Sequence, residues 1–274
     1  MLAALISALL LVGGGGETIT EGPVAVPAAG GGVTLAGTIT APRGPGPHSA
    51  AVLVNGFGPN NRDGAFGDRD DDGAPYGDLA RELAERGVAV LRYDKRGIGE
   101  SPGPSLSWLD ARPLAADAAA AVRALVGLPG VDPERVALIG HSQGGDLALV
   151  AAQAAPATRI VTLAAPGRPL GQLPRASGTA GRFLRRLVGP EVAAATLRRD
   201  PRPDAARARQ PALLVHGTAD RTVPIEDMAI LEGARERAGR STQTLAVPGA
   251  GHFVSVDGVV PEGALDAIAE FARG

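Results

Sequence analysis

The sequence predicts an α/β fold in which a mostly parallel sheet is flanked by helices. Strand-like and helical segments alternate from Ala50 to the end of the chain, and the strand-like segments are continuous apolar runs. Such runs are typical of strands whose two faces are both covered by helices. With 274 residues, of which 45% are hydrophobic and 20% charged, the chain is long enough for one such domain.

Each predicted element follows the previous one along the chain without an internal repeat. Residues 23–42 predict two β-rich pieces around three glycines, which indicates a hairpin at one edge of the sheet. Further strands are predicted at 50–56, 88–94, 135–140, 159–166, 211–217 and 242–248, and helices at 77–87, 113–128, 143–155, 224–239 and 261–273. The folded domain would span 17–274, with residues 167–210 interpreted as a short cap insertion between two strands. Ten arginines in this insertion favour a solvated face, with anionic substrates as the alternative.

Composition excludes several function classes. A net charge of −2 gives no reason to expect nucleic acid or an anionic membrane as the main partner. The absence of cysteine excludes disulfides, thiol catalysis and cysteine-ligated metals. No phosphate-binding loop or paired zinc histidines occur, so neither a cofactor nor a metal is expected. Residues 68–73 imitate the start of a calcium loop, but Leu79 stands where the bidentate glutamate belongs, which favours a solvated acidic loop.

The first residues form a short apolar run. Met1–Val12 is too short to span a bilayer and resembles the apolar region of a signal peptide, with four glycines after it. Residues 1–16 are therefore interpreted as a signal-like segment, which predicts export to the periplasm or the medium. The alternative is a cytoplasmic protein, and in neither case is a stable membrane span expected. The sequence does not predict an oligomeric state.

The strongest chemical signal is the sequence Gly-His-Ser-Gln-Gly at 140–144. It follows a predicted strand directly and precedes a predicted helix, and a serine at such a turn has its hydroxyl pushed clear of the sheet. The flanking glycines leave room for the strand and helix to approach each other closely. Ser142 is therefore the predicted nucleophile.

A serine nucleophile needs a base, and the chain has four histidines. His48 precedes a strand and lies at the wrong end of the sheet, His141 is expected to point away from the serine, and His216 is interpreted as structural. His252 follows the last strand in a glycine-rich loop and is the predicted base.

The imidazole in turn needs an acid. Asp220 follows the penultimate strand and gives the chain order serine, acid, histidine. Asp227 is the competitor, but it falls within a predicted helix and is expected to face solvent.

These motifs together resemble an α/β hydrolase of the esterase and serine-aminopeptidase-like branch. The resemblance covers the chain from about Val33 and is carried by residues 54–63, 93–101, 140–145 and the Asp220 and His252 loops. It implies an oxyanion hole formed by the backbone N–H groups of Phe57 and Gln143. It also implies that Asp94 and Arg96 support the fold without taking part in catalysis. Asn55 stands where many relatives have histidine.

The sequence thus predicts a serine hydrolase that cleaves small-molecule carboxylic esters through an acyl-enzyme, without a cofactor. A peptidase or amidase is the first alternative, because the same three residues cleave amides. A hydrolase-like binding protein without catalysis is the second alternative. Fold alone does not choose among these functions.

Overall fold

The computed structural model describes residues 18–65, 73–104, 109–173 and 196–274. The strands are β1 (Ile19–Pro27), β2 (Thr34–Pro42), β3 (His48–Val54), β4 (Val88–Tyr93), β5 (Val131–His141), β6 (Arg159–Leu163), β7 (Ala212–Gly217) and β8 (Thr242–Val247). The helices are α1 (Pro75–Glu85), α2 (Ala111–Val126), α3 (Gln143–Ala151), α4 (Arg202–Arg207), α5 (Glu226–Arg237) and α6 (Glu262–Arg273). The predicted signal-like segment, the acidic residues 68–72 and the centre of the predicted cap, 174–195, lie outside the described residues.

All eight strands form one sheet in the order β1-β2-β4-β3-β5-β6-β7-β8. The β1–β2 hairpin lies at one edge and pairs antiparallel to β4, whereas the six strands from β4 to β8 run parallel to one another. The predicted edge hairpin and parallel sheet are therefore confirmed. The chain has the α/β-hydrolase fold.

The core has two layers, one on each face of the sheet. In β3, Val52 and Val54 pack on the face covered by α2, α3 and α5, while Ala51 and Leu53 pack on the face covered by α1 and α6. Burial on both faces explains why this strand is apolar at every position from Ala50 to Val54 instead of at alternate ones.

The parallel strands place the loops that follow them at one edge of the sheet. The loops after β3, β5, β7 and β8 carry the residues singled out from the sequence, and they meet there because parallel strands all end on the same side. Among the described residues, no helix combines the length and apolarity needed to cross a bilayer.

Candidate active site

Ser142 occupies the sharp turn between β5 and α3. Its backbone has φ 54° and ψ −125°, a conformation that residues other than glycine rarely adopt. Its N–H donates to Leu163 O over 2.8 Å, and its own carbonyl accepts from Gly145 N over 2.9 Å. A Cβ on Gly140 would collide with the Gly144 carbonyl, so the tight turn depends on glycine at this position.

His252 lies within hydrogen-bonding distance of the serine. Its Nε2 is 3.1 Å from Ser142 Oγ, and its Nδ1 is 2.8 Å from Asp220 Oδ2. Since a carboxylate only accepts hydrogen bonds, Nδ1 carries the proton and Nε2 presents its lone pair to the serine hydroxyl. The structure thus brings together the three residues that the sequence predicted for the triad.

Asp220 is held on both of its oxygens. Oδ1 accepts hydrogen bonds from the backbone N–H groups of Thr222 at 2.7 Å and Val223 at 3.0 Å, and Oδ2 contacts His252. Burial alone would raise the pKa of Asp220, but hydrogen bonds from His216 and His252 hold that pKa well below its usual range. The carboxyl group is therefore ionised at neutral pH and can stabilise a positively charged imidazole.

The expectation that Asp227 faces solvent is wrong. The residue lies in the first turn of α5, but it is fully buried, because its carboxylate accepts hydrogen bonds from Gly167 N at 2.7 Å and Arg168 Nε at 3.1 Å. The ion pair with the Arg168 guanidinium and the hydrogen bond from the Gly167 amide together offset the cost of burying the charge. Asp227 thus holds the start of the predicted cap insertion, whereas Asp220 contacts the histidine.

The other histidines have distinct environments. His48 starts β3 at the opposite end of the strand and its Nε2 lies 3.4 Å from Gly44 O. His216 is buried at the end of β7, with Nε2 2.9 Å from Val223 O and 3.5 Å from Asp220 Oδ2, so it supports the acid loop as a structural residue. His141 is buried with its ring centroid 4.8 Å from that of His252, a contact that sequence reasoning missed.

The loop at residues 55–60 passes beside the serine. A Cβ placed on Gly56 would come within 3.3 Å of Ser142 Cβ, and Phe57 is the next residue in this loop. Gln143 is the first residue of α3, where the N–H groups of a helix have no intrahelical acceptor. Of the two residues predicted for the oxyanion hole, Gln143 thus follows the serine directly in the chain, and Phe57 follows Gly56, which lies against the serine.

The buried side chain of Lys95 holds the 55–60 loop through three hydrogen bonds. Its Nζ donates to Gly56 O at 2.8 Å, Gly58 O at 2.6 Å and Asn60 Oδ1 at 2.5 Å. Burial lowers the pKa of Lys95 to about 7. Sequence reasoning assigned it no function, although a signal existed, because it is the only lysine in a chain with 27 basic residues.

The residues on either side of Lys95, Asp94 and Arg96, connect the end of β4 to other segments of the chain. Asp94 accepts hydrogen bonds from Arg62 N at 2.7 Å and Glu100 N at 3.0 Å. Arg96 forms a two-pronged ion pair with buried Asp117 at 2.6 and 2.7 Å. These contacts agree with the fold-supporting function that the resemblance implied for both residues. Within the described ranges, no group of three or more histidine or acidic side chains is arranged to hold a metal ion.

Comparisons with known proteins find similarity to hydrolases over part of the chain. The family model described as "Serine aminopeptidase, S33" matches residues 70–194. The chain is similar to Esterase EstD of Thermotoga maritima, with 37% identity over 139 residues, which cover 51% of this chain and 32% of that protein. It is also similar to the thiohydrolase apmlB of Arthrinium phaeospermum, with 33% identity over 91 residues that cover 33% of this chain and 30% of that protein. The matched segments thus span about a third of the length of these curated relatives.

Solved structures extend the likeness to nearly the whole chain. The α/β hydrolase GrgF from Penicillium has a TM-score of 0.72 at 21% identity, covering 93% of this chain and 98% of that one. An esterase from Pyrococcus furiosus has a TM-score of 0.69 at 17% identity, covering 93% and 92%. At these identities the structures show the fold alone. The chain therefore has the α/β-hydrolase fold and is similar, over part of its length, to esterases and to the serine aminopeptidase family.

Proposed function

We propose that the chain is a serine hydrolase that cleaves carboxylic esters through an acyl-enzyme intermediate, with Ser142, His252 and Asp220 as its catalytic residues. The observation that carries this proposal is the pair of contacts made by one imidazole, 3.1 Å to Ser142 Oγ and 2.8 Å to Asp220 Oδ2. This is the arrangement of a nucleophile, a general base and the acid that orients the base.

The reaction begins with the attack of Ser142 Oγ on the ester carbonyl carbon, while the hydroxyl proton passes to His252 Nε2. The backbone N–H groups of Phe57 and Gln143 would stabilise the negative charge on the carbonyl oxygen. The bond from this carbon to the alcohol oxygen then breaks, and the alcohol leaves with the proton from His252. A water molecule then attacks the acyl carbon while His252 takes one of its protons. The bond from this carbon to Ser142 Oγ breaks, His252 returns the proton to Oγ, and the carboxylic acid is released.

Apolar side chains near the 55–60 loop support an ester substrate over a peptide. Phe57, Ile98 and Leu197 pack around the buried side chain of Leu109, so the loop beside the nucleophile adjoins an apolar cluster. Apolar surface of this kind suits the hydrocarbon part of a small-molecule ester.

The first experiment is turnover of p-nitrophenyl esters of increasing acyl length by the wild type and by Ser142→Ala. We expect the variant to lose about 10⁴-fold or more in kcat, because the nucleophile is absent. Ser241→Ala is the matched control, since Ser241 is an exposed residue before β8, at the opposite end of the strands. Ester turnover that survives Ser142→Ala would overturn the nucleophile assignment.

A peptidase is the second candidate, and the match to the serine aminopeptidase model is what favours it. Aminoacyl p-nitroanilides offered beside the matching p-nitrophenyl esters would separate the two functions. Anilide cleavage with kcat/KM equal to or above that of the esters would replace the ester proposal by the peptidase.

A further inference from the structure

A buried path of hydrogen bonds joins the 55–60 loop to the backbone of His252. Gly56 N lies 3.0 Å from Tyr76 Oη, and Tyr76 Oη lies 2.9 Å from His141 Nδ1. His141 Nε2 then lies 2.9 Å from the carbonyl oxygen of His252. Tyr76 is 2% exposed and His141 3% exposed, so water does not compete for these contacts.

The chemistry of these groups allows one placement of the protons. The His252 carbonyl only accepts, so His141 Nε2 carries a proton and donates it. Burial lowers the pKa of His141 to about 3, so the ring is neutral and its Nδ1 is an acceptor. Tyr76 must therefore donate its hydroxyl proton to Nδ1 and accept the N–H of Gly56. Burial also raises the pKa of Tyr76, which keeps the phenol protonated.

The path connects two loops that the proposed reaction needs at a fixed separation. The 55–60 loop presents the Phe57 amide to the developing oxyanion, and the loop after β8 presents His252 to Ser142. Neither Tyr76 nor His141 is needed for a proton transfer in the proposed reaction. Besides the hydrogen bond between them, each makes one hydrogen bond to the backbone, Tyr76 to Gly56 N and His141 to the His252 carbonyl.

We propose that Tyr76 and His141 are positioning residues that hold the 55–60 loop and the His252 loop at the separation that acyl transfer requires. This inference rests on the proposed function. Because stabilisation of an oxyanion requires donors at hydrogen-bonding distance from it, a small displacement of either loop would slow the reaction without removing a reacting group.

The first test is Tyr76→Phe, which removes one oxygen atom and leaves the ring in place. The matched control is Tyr93→Phe, because Tyr93 is the only other tyrosine, is also buried, and lies in β4. The readouts are kcat and KM on a p-nitrophenyl ester and the rate at which a fluorophosphonate labels Ser142. In the labelling reaction the Oγ–P bond forms, the P–F bond breaks, and His252 takes the hydroxyl proton.

We expect Tyr76→Phe to lower kcat and the labelling rate by about 10- to 100-fold while KM changes by less than about two-fold. Tyr93→Phe should leave all three quantities within about two-fold of the wild type. A purely structural function of Tyr76 would lower thermal stability without this separation of kcat from KM. Wild-type kcat and labelling in Tyr76→Phe would overturn the proposal.

The second test asks whether the two residues act as one unit. His141→Phe breaks both of its hydrogen bonds and keeps an aromatic ring beside His252. The double variant that combines it with Tyr76→Phe should be slower than the slower single variant by no more than about two-fold. His141→Gln places an amide N–H near the position of Nε2 and should recover part of the rate lost in His141→Phe. Fully additive losses in the double variant would contradict a shared path.

Labelling also separates the failure of this inference from that of the proposed function. A wild type that turns over no ester, but whose Ser142 is labelled more slowly in Tyr76→Phe, would refute the ester reaction and retain the positioning of the loops. Labelling that persists in Ser142→Ala would overturn both. Nitrogen-15 NMR provides a readout without catalysis, since His141 should remain the neutral Nε2–H tautomer from about pH 5 to about pH 9.

Discussion

Asp220 contacts His252 through one carboxylate oxygen while backbone amides hold the other. Oδ2 lies 2.8 Å from His252 Nδ1, and Oδ1 accepts from Thr222 and Val223. The two oxygens are therefore not interchangeable. The backbone N–H groups require a hydrogen-bond acceptor at Oδ1. At Oδ2 an acceptor keeps the imidazole proton on Nδ1, and a donor would exclude it from Nδ1.

This asymmetry predicts the effect of Asp220→Asn. The amide oxygen should stay at the backbone N–H groups, which turns the NH₂ group toward His252 Nδ1 and forces the imidazole proton onto Nε2. A protonated Nε2 cannot accept the proton of Ser142, so kcat should fall by about 10⁴-fold. Steady-state ester kinetics provide the measurement, and Asp266→Asn on the exposed surface of α6 is the control. A loss of less than about ten-fold would argue against Asp220 as the acid.

Gly144 allows α3 to approach the sheet beneath the nucleophile. A Cβ at this position would overlap the carbonyl oxygen of Val54 in β3, which is backbone and cannot move aside easily. Gly144→Ala should therefore lower the free energy of unfolding by about 3 kcal/mol or more, or prevent folding. Gly263→Ala in α6 is the matched control, because its Cβ would meet no atom within 4 Å and helical Gly→Ala stabilises by about 0.5–1 kcal/mol. Urea denaturation of both variants would measure the difference, and equal stabilities would contradict the close approach.

Asp227 offers a test that separates structural from catalytic acids. Asp227→Asn removes the charge that pairs with Arg168, at 2.8 Å between Nη2 and Oδ2, but leaves Asp220 and His252 untouched. We expect a loss of about 1–3 kcal/mol in the free energy of unfolding, because a buried ion pair is broken. In contrast, kcat should stay within about five-fold of the wild type at a temperature where the variant is folded. A loss in kcat as large as that of Asp220→Asn would exchange the two assignments.

The fold was predictable because its signals are local. Uninterrupted apolar strands such as β3, and the Gly-His-Ser-Gln-Gly turn after β5, depend on neighbours in the chain. Ser142, Asp220 and His252 were predictable because each follows a parallel strand, and those strands end at one edge of the sheet. The loops that carry Asp220 and His252 follow β7 and β8, which pair with each other.

Contacts that depend on packing between distant segments were not predictable. Tyr76 and His141 are 65 residues apart in the chain. Nothing in the sequence of α1 indicates that its first turn contacts the residue before Ser142. The burial of Asp227 depends on Arg168, which is 59 residues away in the chain. Its position within a predicted helix therefore led to the expectation that this aspartate faces solvent, since the sequence did not reveal its partner.

The single lysine provides a prediction about pH. Burial lowers the pKa of Lys95 to about 7 in the folded protein, below the value of about 10.4 expected in the unfolded chain. Between these two values the unfolded chain binds more protons, so Lys95 should make the free energy of unfolding rise with pH, by at most about 1.4 kcal/mol per pH unit. Below about pH 7 both states carry the charge and the contribution is constant. Urea denaturation of the wild type and of Lys95→Met across this window measures the effect, because the other titrating groups cancel in the difference. A difference that stays constant with pH would mean that the three acceptors around Nζ keep the ammonium charged.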